Sequence, residues 1–230
     1  MAARARDADR LTYEFVSIAS HELRAPIAVV HGIAATLNAR VDELPDEQVH
    51  ALLGHLVVQT DRLRDLADQL LDLTRIESGG AAGTPEHFEP RRLLEELVPR
   101  IAGDHAADVR LVAEPGRMLV ADPVAFERVA ANLILNALRY GAPPVEVRVE
   151  REPSRLVVED RGPGVAPEFE PRLFERFSRS DESRRSGLPG AGLGLSIASA
   201  YANALGGELG YEAAEPRGAR FTLSLPAARS

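Results

Sequence analysis

The chain has 230 residues, 45% hydrophobic and 27% charged, so an ordinary globular protein is expected and neither a fibrous nor a disordered chain fits. It contains no cysteine, which excludes disulfides, thiolate metal sites and cysteine nucleophiles; all its basic residues are arginine, which excludes Schiff-base chemistry and a phosphate loop ending in Gly-Lys-Ser/Thr. A net charge of −8, 5% aromatics and no tryptophan argue against coating nucleic acid or stacking on its bases.

Residues 1–78 read as two helices. Leu11, Phe15, Ile18, Leu23, Ile27, Val30, Ile33, Leu37 and Val41 keep one face of a long helix apolar. The run breaks at Leu44-Pro45-Asp46. A second series follows through Val49, Leu53, Leu56, Leu63, Leu66, Leu70, Leu73 and Ile76, with the spacing of a bundle seam. A lone hairpin cannot cover such a stripe, so a homodimeric four-helix bundle is expected.

Residues 79–86, rich in glycine, form a linker by composition, and residues 87–230 form a second domain. There the pattern predicts a helix over Arg91 to about Ala102, strands at Val109–Ala113 and Met118–Ala121, and a long helix over Pro123–Tyr140. Strands follow at Val145–Arg151 and Arg155–Asp160. A helix then begins near Ala191 and ends at Gly206-Gly207, and strands at Glu208–Ala213 and Ala219–Leu225 close the chain. Adjacent strand pairs indicate antiparallel ladders with helices on one face, an α+β sandwich. No apolar stretch spans a membrane, because His31, Asn132 and Asn136 interrupt the best ones, and MAARARDADR lacks the centre of a secretory signal. A cytoplasmic chain, or a soluble fragment of a larger protein, is expected.

Four segments look chemical. In Phe15–Ile27, His21 falls off the apolar stripe and is followed by Glu22, with Pro26 inside the helix; a zinc-protease motif is excluded because its second histidine position holds Ala25. In Arg128–Tyr140, Asn132 and Asn136 share one helical face within an apolar run, where amides need partners, and their oxygens are hard ligands suited to Mg²⁺ beside phosphates. In Val157–Val165, Asp160 ends an apolar strand at a turn holding Gly162 and Gly164. In Gly187–Ile197, Gly190, Gly192 and Gly194 run into a helix start, where free N–H groups favour an anion. This last segment is not the dinucleotide fingerprint, since its glycine spacing differs and no strand precedes it.

In their order along the chain these segments resemble the boxes of the sensor histidine kinase family of two-component signalling. Phe15–Ile27 is similar to its H box and Asn132–Tyr140 to its N box. Asp160–Gly164 is similar to its first G box, Leu173–Phe177 to its F box and Gly190–Leu195 to its second G box. The resemblance implies a helical hairpin for dimerisation and phosphoacceptance, followed by an ATP-binding domain of the GHKL type. It implies His21 as nucleophile and phosphoacceptor, with Glu22 as its base. It implies Asn136 as the Mg²⁺ ligand, Asn132 beside it, and Arg139 at a phosphate, where the family usually has lysine. Tyr140 would lie against the nucleotide and Asp160 would accept from the adenine amino group. Gly162, Gly164, Gly190, Gly192, Leu193 and Gly194 would line ATP with backbone. Residues 178–189 would form an ATP lid, with Arg179 and the Arg184-Arg185 pair directed to the γ-phosphate.

The implied activity is an ATP-dependent protein-histidine kinase core whose partner is a response-regulator receiver domain. The alternative is a non-catalytic dimeric phosphotransfer or scaffold protein with a degenerate ATP domain, against which Asn136, Asp160 and the glycines argue. One departure stands out. The family usually has Thr or Asn four residues after the histidine, to orient a water for phosphatase chemistry, and here that residue is Ala25, which cannot bond water.

Overall fold

A computed structural model describes residues 2–81, 83–150, 154–185 and 190–226, with the side chains of 2–19, 21, 182 and 184 outside the description. The chain divides into two compact units: Met1–Leu71 with Pro189–Ala191, and Asp72–Leu188 with Gly192–Ser230.

The first unit is a helical hairpin. Helix α1 (Ala2–Arg40) runs unbroken through Pro26, whose missing N–H leaves the Glu22 carbonyl without its helical donor. A 3-10 turn at Val41–Glu43 leads to α2 (Asp46–Glu77). Pro45 ends the turn, and its carbonyl accepts from the Gln48 and Val49 N–H groups that open α2. Ile33 and Leu66 are buried, whereas Ile27, Leu53, Val57 and Val58 remain exposed. No described helix is long and apolar enough to cross a membrane.

The second unit joins the last turns of α2 to an α/β sandwich. Strand β1 (Glu86–Phe88) starts where the linker was expected to end and pairs antiparallel with β3 (Leu119–Ala121). Between them lie α3 (Pro90–Ala102) and β2 (Val109–Val112). The expected pairing of β2 with β3 does not form. Instead β2 pairs in parallel with β4 (Val145–Glu150), and α4 (Pro123–Tyr140) lies between them in the chain. Strand β5 (Arg155–Glu159), helices α5 (Asp181–Arg185) and α6 (Gly194–Ala204), and strands β6 (Glu208–Ala213) and β7 (Ala219–Ser224) complete the unit. The main sheet has the order β2-β4-β5-β7-β6, antiparallel except at β2.

Helix α4 has the boundaries that the sequence predicts. Asp122 caps it by accepting from Val124 and Ala125 N–H, Pro123 occupies its first turn, and Gly141 follows its end. Its Phe126, Val129, Leu133 and Ile134 recur at helical spacing and are fully buried, as are Val145, Val147, Leu156 and Leu223 of the sheet. Helix α6 starts at Gly194, not near Ala191. Gly190 and Gly192 have positive φ (145° and 71°), which ends any helical path before them.

Across the sheet the register aligns Glu146, Glu159, Arg220 and Glu212 on neighbouring strands. Glu159 is buried and is held by Arg220 (2.8 Å), Arg161 (3.2 Å) and Arg148 (3.4 Å). Burial opposes its ionisation, but the hydrogen bond and charge of Arg220, aided by Arg148, outweigh it and hold the carboxyl below the usual range. This clamp fixes the end of β5, the residue before Asp160.

Candidate functional site

The site of the second unit is built where α4, β5 and the start of α6 come close. Asp160 follows β5 and is only 3% exposed. Its N–H donates to Ala219 O of β7 (3.0 Å), and its Oδ1 accepts from Gly162 N–H (2.7 Å). Burial pushes the Asp160 carboxyl up, the Gly162 N–H opposes that shift, and the neighbouring Glu159 charge adds to it. The Gly162 N–H thus holds Oδ1 and the Ala219 backbone adds a smaller hydrogen bond to the carboxyl, whose remaining lone pairs can accept from an outside donor.

Three glycines make room for this arrangement. A Cβ at Gly141 would lie 2.4 Å from Asp160 Cγ, and one at Gly162 would lie 2.6 Å from Gly141 Cα. A Cβ at Gly218 would lie 1.9 Å from Asp160 O. A Cβ at Gly164, whose φ is 79°, would lie 3.0 Å from Gly218 O. The turn between β6 and β7 therefore backs the first glycine segment. Arg161 Nη1 donates to Glu215 O (2.9 Å) and Arg217 Nε to Arg161 O (3.1 Å). Sequence reading missed Gly141 and Gly218; the one visible sign of Gly218 is its place in a Pro-Arg-Gly turn between two strands.

The other end of the site joins α4 to α6. Asn132 Nδ2 donates to Arg128 O (2.8 Å), which leaves Oδ1 facing α6: a Cβ at Gly194 would lie 3.1 Å from it. Asn136, Arg139 and Tyr140 are half-buried along the next turns of α4. Leu193 is buried and its carbonyl accepts from Ile197 N–H (2.9 Å) and Ser196 Oγ (2.9 Å), so α6 opens on the Gly194 side with free N–H groups. Gly192 is pressed against the end of the Leu173–Phe177 segment, its Cβ position 2.6 Å from Ser178 O, and Phe177 itself has φ of 60°.

The structure thus brings together Asn132 with Gly194, and Asp160 with Gly162, Gly164 and the end of α4. Gly190 clusters with the other unit. The expected lid contains the short helix α5, and Arg179 Nη2 donates to Ser183 O (3.0 Å). Residues 186–189 and the Arg184 side chain lie outside the described residues.

In the first unit, α1 carries His21, whose side chain lies outside the description. Glu22 is half-buried and stands 3.8 Å from Arg62 of α2. Ala25 is exposed and Pro26 is buried. Among the described residues, no group of three or more His, Asp or Glu side chains could hold a metal by itself. An Mg²⁺ ion shared with phosphates needs only one or two protein oxygens.

Comparison with known proteins covers both units. Residues 12–79 match the His Kinase A (phospho-acceptor) domain, and residues 121–229 match the histidine kinase-, DNA gyrase B- and HSP90-like ATPase family. The chain is 34% identical over 229 residues to the signal transduction histidine-protein kinase AfsQ2 of Streptomyces coelicolor, covering 95% of this chain and 42% of that protein. It is thus similar to less than half of that relative's length. The Acinetobacter baumannii histidine kinase AdeS is similar in structure, with a TM-score of 0.66 and 28% identity over 90% of this chain and 98% of that one. Full-length ShkA in complex with AMPPNP is similar over 94% of this chain and 47% of its own, with a TM-score of 0.59 and 27% identity. With a phosphoacceptor hairpin and an ATPase domain matched in that order, the chain belongs to the histidine kinase family.

Proposed function

We propose that the chain is an ATP-dependent kinase core that phosphorylates its own His21 and passes the phosphoryl group to an aspartate of a receiver domain. The observation that carries this reading is the convergence, in one unit, of a buried Asp160 carboxylate, held by backbone N–H groups with lone pairs to spare, and of Asn132 beside the N-terminus of α6. The ends of that site suit the two ends of ATP.

At one end Asp160 Oδ2 accepts from the adenine amino group. A hydrogen bond to a charged acceptor contributes about 1.5–3 kcal/mol. Guanine places a carbonyl oxygen at that position, which repels the carboxylate, so ATP is preferred over GTP. Gly141, Gly162 and Gly218 set the carboxylate at the depth this bond requires. Tyr140 lies at the end of α4, next to Gly141, where its ring can cover the base.

At the other end the free N–H groups of α6 and the backbone of Gly192 and Gly194 receive phosphate oxygens. Asn136, with Asn132 beside it, would hold Mg²⁺, which neutralises charge on the phosphates as the terminal group departs. Arg139 keeps a positive charge near them and presents a planar fork. Arg179 reaches the γ-phosphate on exchanging its Ser183 contact for the nucleotide.

In the kinase step the imidazole of His21 attacks the γ-phosphorus. The new N–P bond forms as the bond to the β,γ-bridging oxygen breaks, and ADP leaves. The other ring proton goes to Glu22. Adjacent residues on a helix do not face each other, so Glu22 must leave Arg62 and turn back toward the ring. In the following step a receiver aspartate takes the phosphoryl group from His21. The exposed apolar residues of the hairpin, Ile27, Leu53, Val57 and Val58, are covered by a second copy in a homodimeric bundle.

The test of the nucleotide reading is binding of Mg·ATP by calorimetry in competition with GTP. Micromolar ATP binding that GTP competes with poorly, and that Asn136→Ala weakens, supports the reading. Equal affinity for both nucleotides contradicts the role given to Asp160.

A further inference from the structure

Asp72 lies outside every motif that the nucleotide reading uses, yet it is buried more deeply than most of the described charged residues, at 4% exposure. It sits near the end of α2 and is the first residue of the second unit. Its two oxygens serve two helices. Oδ1 accepts from Tyr201 Oη of α6 at 2.8 Å, and Oδ2 lies 3.3 Å from Arg128 Nη1 of α4. Tyr201 is itself buried, and its phenol is pushed up to about 12 by burial and by the bond to Asp72. The hydroxyl therefore stays protonated and donates at any working pH.

These partners lie on the two helices that carry the nucleotide site. Arg128 is one turn before Asn132 on α4, and its carbonyl orients the Asn132 amide. Tyr201 is about two turns after Gly194 on α6. The gap between α4 and α6 is tight at the site, where a Cβ on Gly194 would stand 3.1 Å from Asn132 Oδ1. A single carboxylate gripping both helices fixes that gap. A buried charge tolerates neither loss of a partner nor a shift between its partners, so the anchor is stiff.

We propose that Asp72 is a positioning residue for the nucleotide: by binding Arg128 and Tyr201 together, it sets the spacing of the asparagine face of α4 against the glycine start of α6. The inference rests on the ATP reading of that site. It also makes the last turns of α2 a structural part of the nucleotide unit.

The test compares Asp72→Asn, Tyr201→Phe and the double variant in the full chain. Affinity is read by displacement of a fluorescent ATP analogue in the presence of Mg²⁺. The KM and kcat of self-labelling and the thermal midpoint are read alongside. Wild type binds the analogue. Each single variant binds it roughly five- to tenfold more weakly, with KM raised in proportion and kcat within about twofold. The double variant is little worse than either single, because both act through one contact. Unchanged affinity in Tyr201→Phe, which removes a single oxygen, overturns the inference even if Asp72→Asn does not fold. A lower midpoint with unchanged affinity likewise overturns it, since Asp72 would then be structural only. No binding by wild type overturns the ATP reading itself, and the inference with it.

Discussion

Gly141 and Asp160 approach so closely that a Cβ on the glycine would fall 2.4 Å from the carboxyl carbon of the aspartate. Gly141 has φ of −90° and ψ of −158°, which any residue adopts, so the glycine is required by contact and not by backbone conformation.

Gly141→Ala is therefore expected to push Asp160 out of its seat. Forcing a methyl group into a packed site costs about 1–3 kcal/mol. Part of that cost appears as lost nucleotide affinity of about tenfold, and part as a lower thermal midpoint. Calorimetry with Mg·ATP reads the first; wild-type affinity in this variant would mean that the carboxylate does not meet the base.

Asp160→Asn separates stability from function. Burial raises the Asp160 pKa, so its ionised form destabilises the fold above the folded pKa, and that penalty is relieved as pH falls through the folded value. The variant without nucleotide is expected to melt higher than wild type at neutral pH, with the difference shrinking on acidification. Its affinity for ATP should fall roughly tenfold to a hundredfold. The Gly162 N–H claims the remaining amide oxygen, so a donor NH₂ faces the adenine donor. Melting curves across pH with and without ATP test both statements, and tight ATP binding by the variant would contradict the assignment.

Glu159 behaves in the opposite sense. Its folded pKa is lowered, so it contributes stability that is present above the unfolded carboxylate pKa and is lost as pH falls through the folded value. Glu159→Gln leaves Arg148, Arg161 and Arg220 without their shared anion and is expected to cost about 1–3 kcal/mol at neutral pH. That is less than for a fully buried pair, because the arginines are partly exposed. Denaturant unfolding at neutral and acid pH reads it, and a loss equal at both would argue that packing and not charge holds the β5 end.

Ala25 lies four residues after His21 on α1 and is exposed. A receiver docked at His21 would bring its acyl phosphate within reach of that position. Hydrolysis needs a water held in line with phosphorus, and a methyl group cannot hold one. Ala25→Thr is expected to speed decay of the phosphorylated receiver severalfold in the presence of ADP, with self-labelling little changed. Strong decay with the native chain would place the water on another residue.

The sequence made the hairpin and α4 legible because their boundaries rest on local chemistry: Pro45 at the turn, Asp122 as cap, Gly141 as stop. Strand β1 was not legible because three residues carry no period, and the parallel β2–β4 pair depends on a partner across α4. The start of α6 was set too early because apolar content continues through glycines whose positive φ forbids a helix. Asp160, Asn132 and Gly194 were visible as polar or glycine positions in apolar surroundings. Gly218, Asp72 and the contact of Gly141 with Asp160 were not, since each owes its importance to a residue distant in the chain. Arg62 was hidden likewise, its tie to Glu22 crossing between two helices.

The central claim is that ATP phosphorylates His21. Incubation with γ-labelled ATP and Mg²⁺ is expected to place label on the protein that is lost in acid and survives in base. His21→Ala should abolish that label while binding ATP as tightly as wild type, because the nucleophile and the nucleotide site lie in different units. Acid-labile label on the His21→Ala chain, or none on the native chain that binds ATP, would contradict the account.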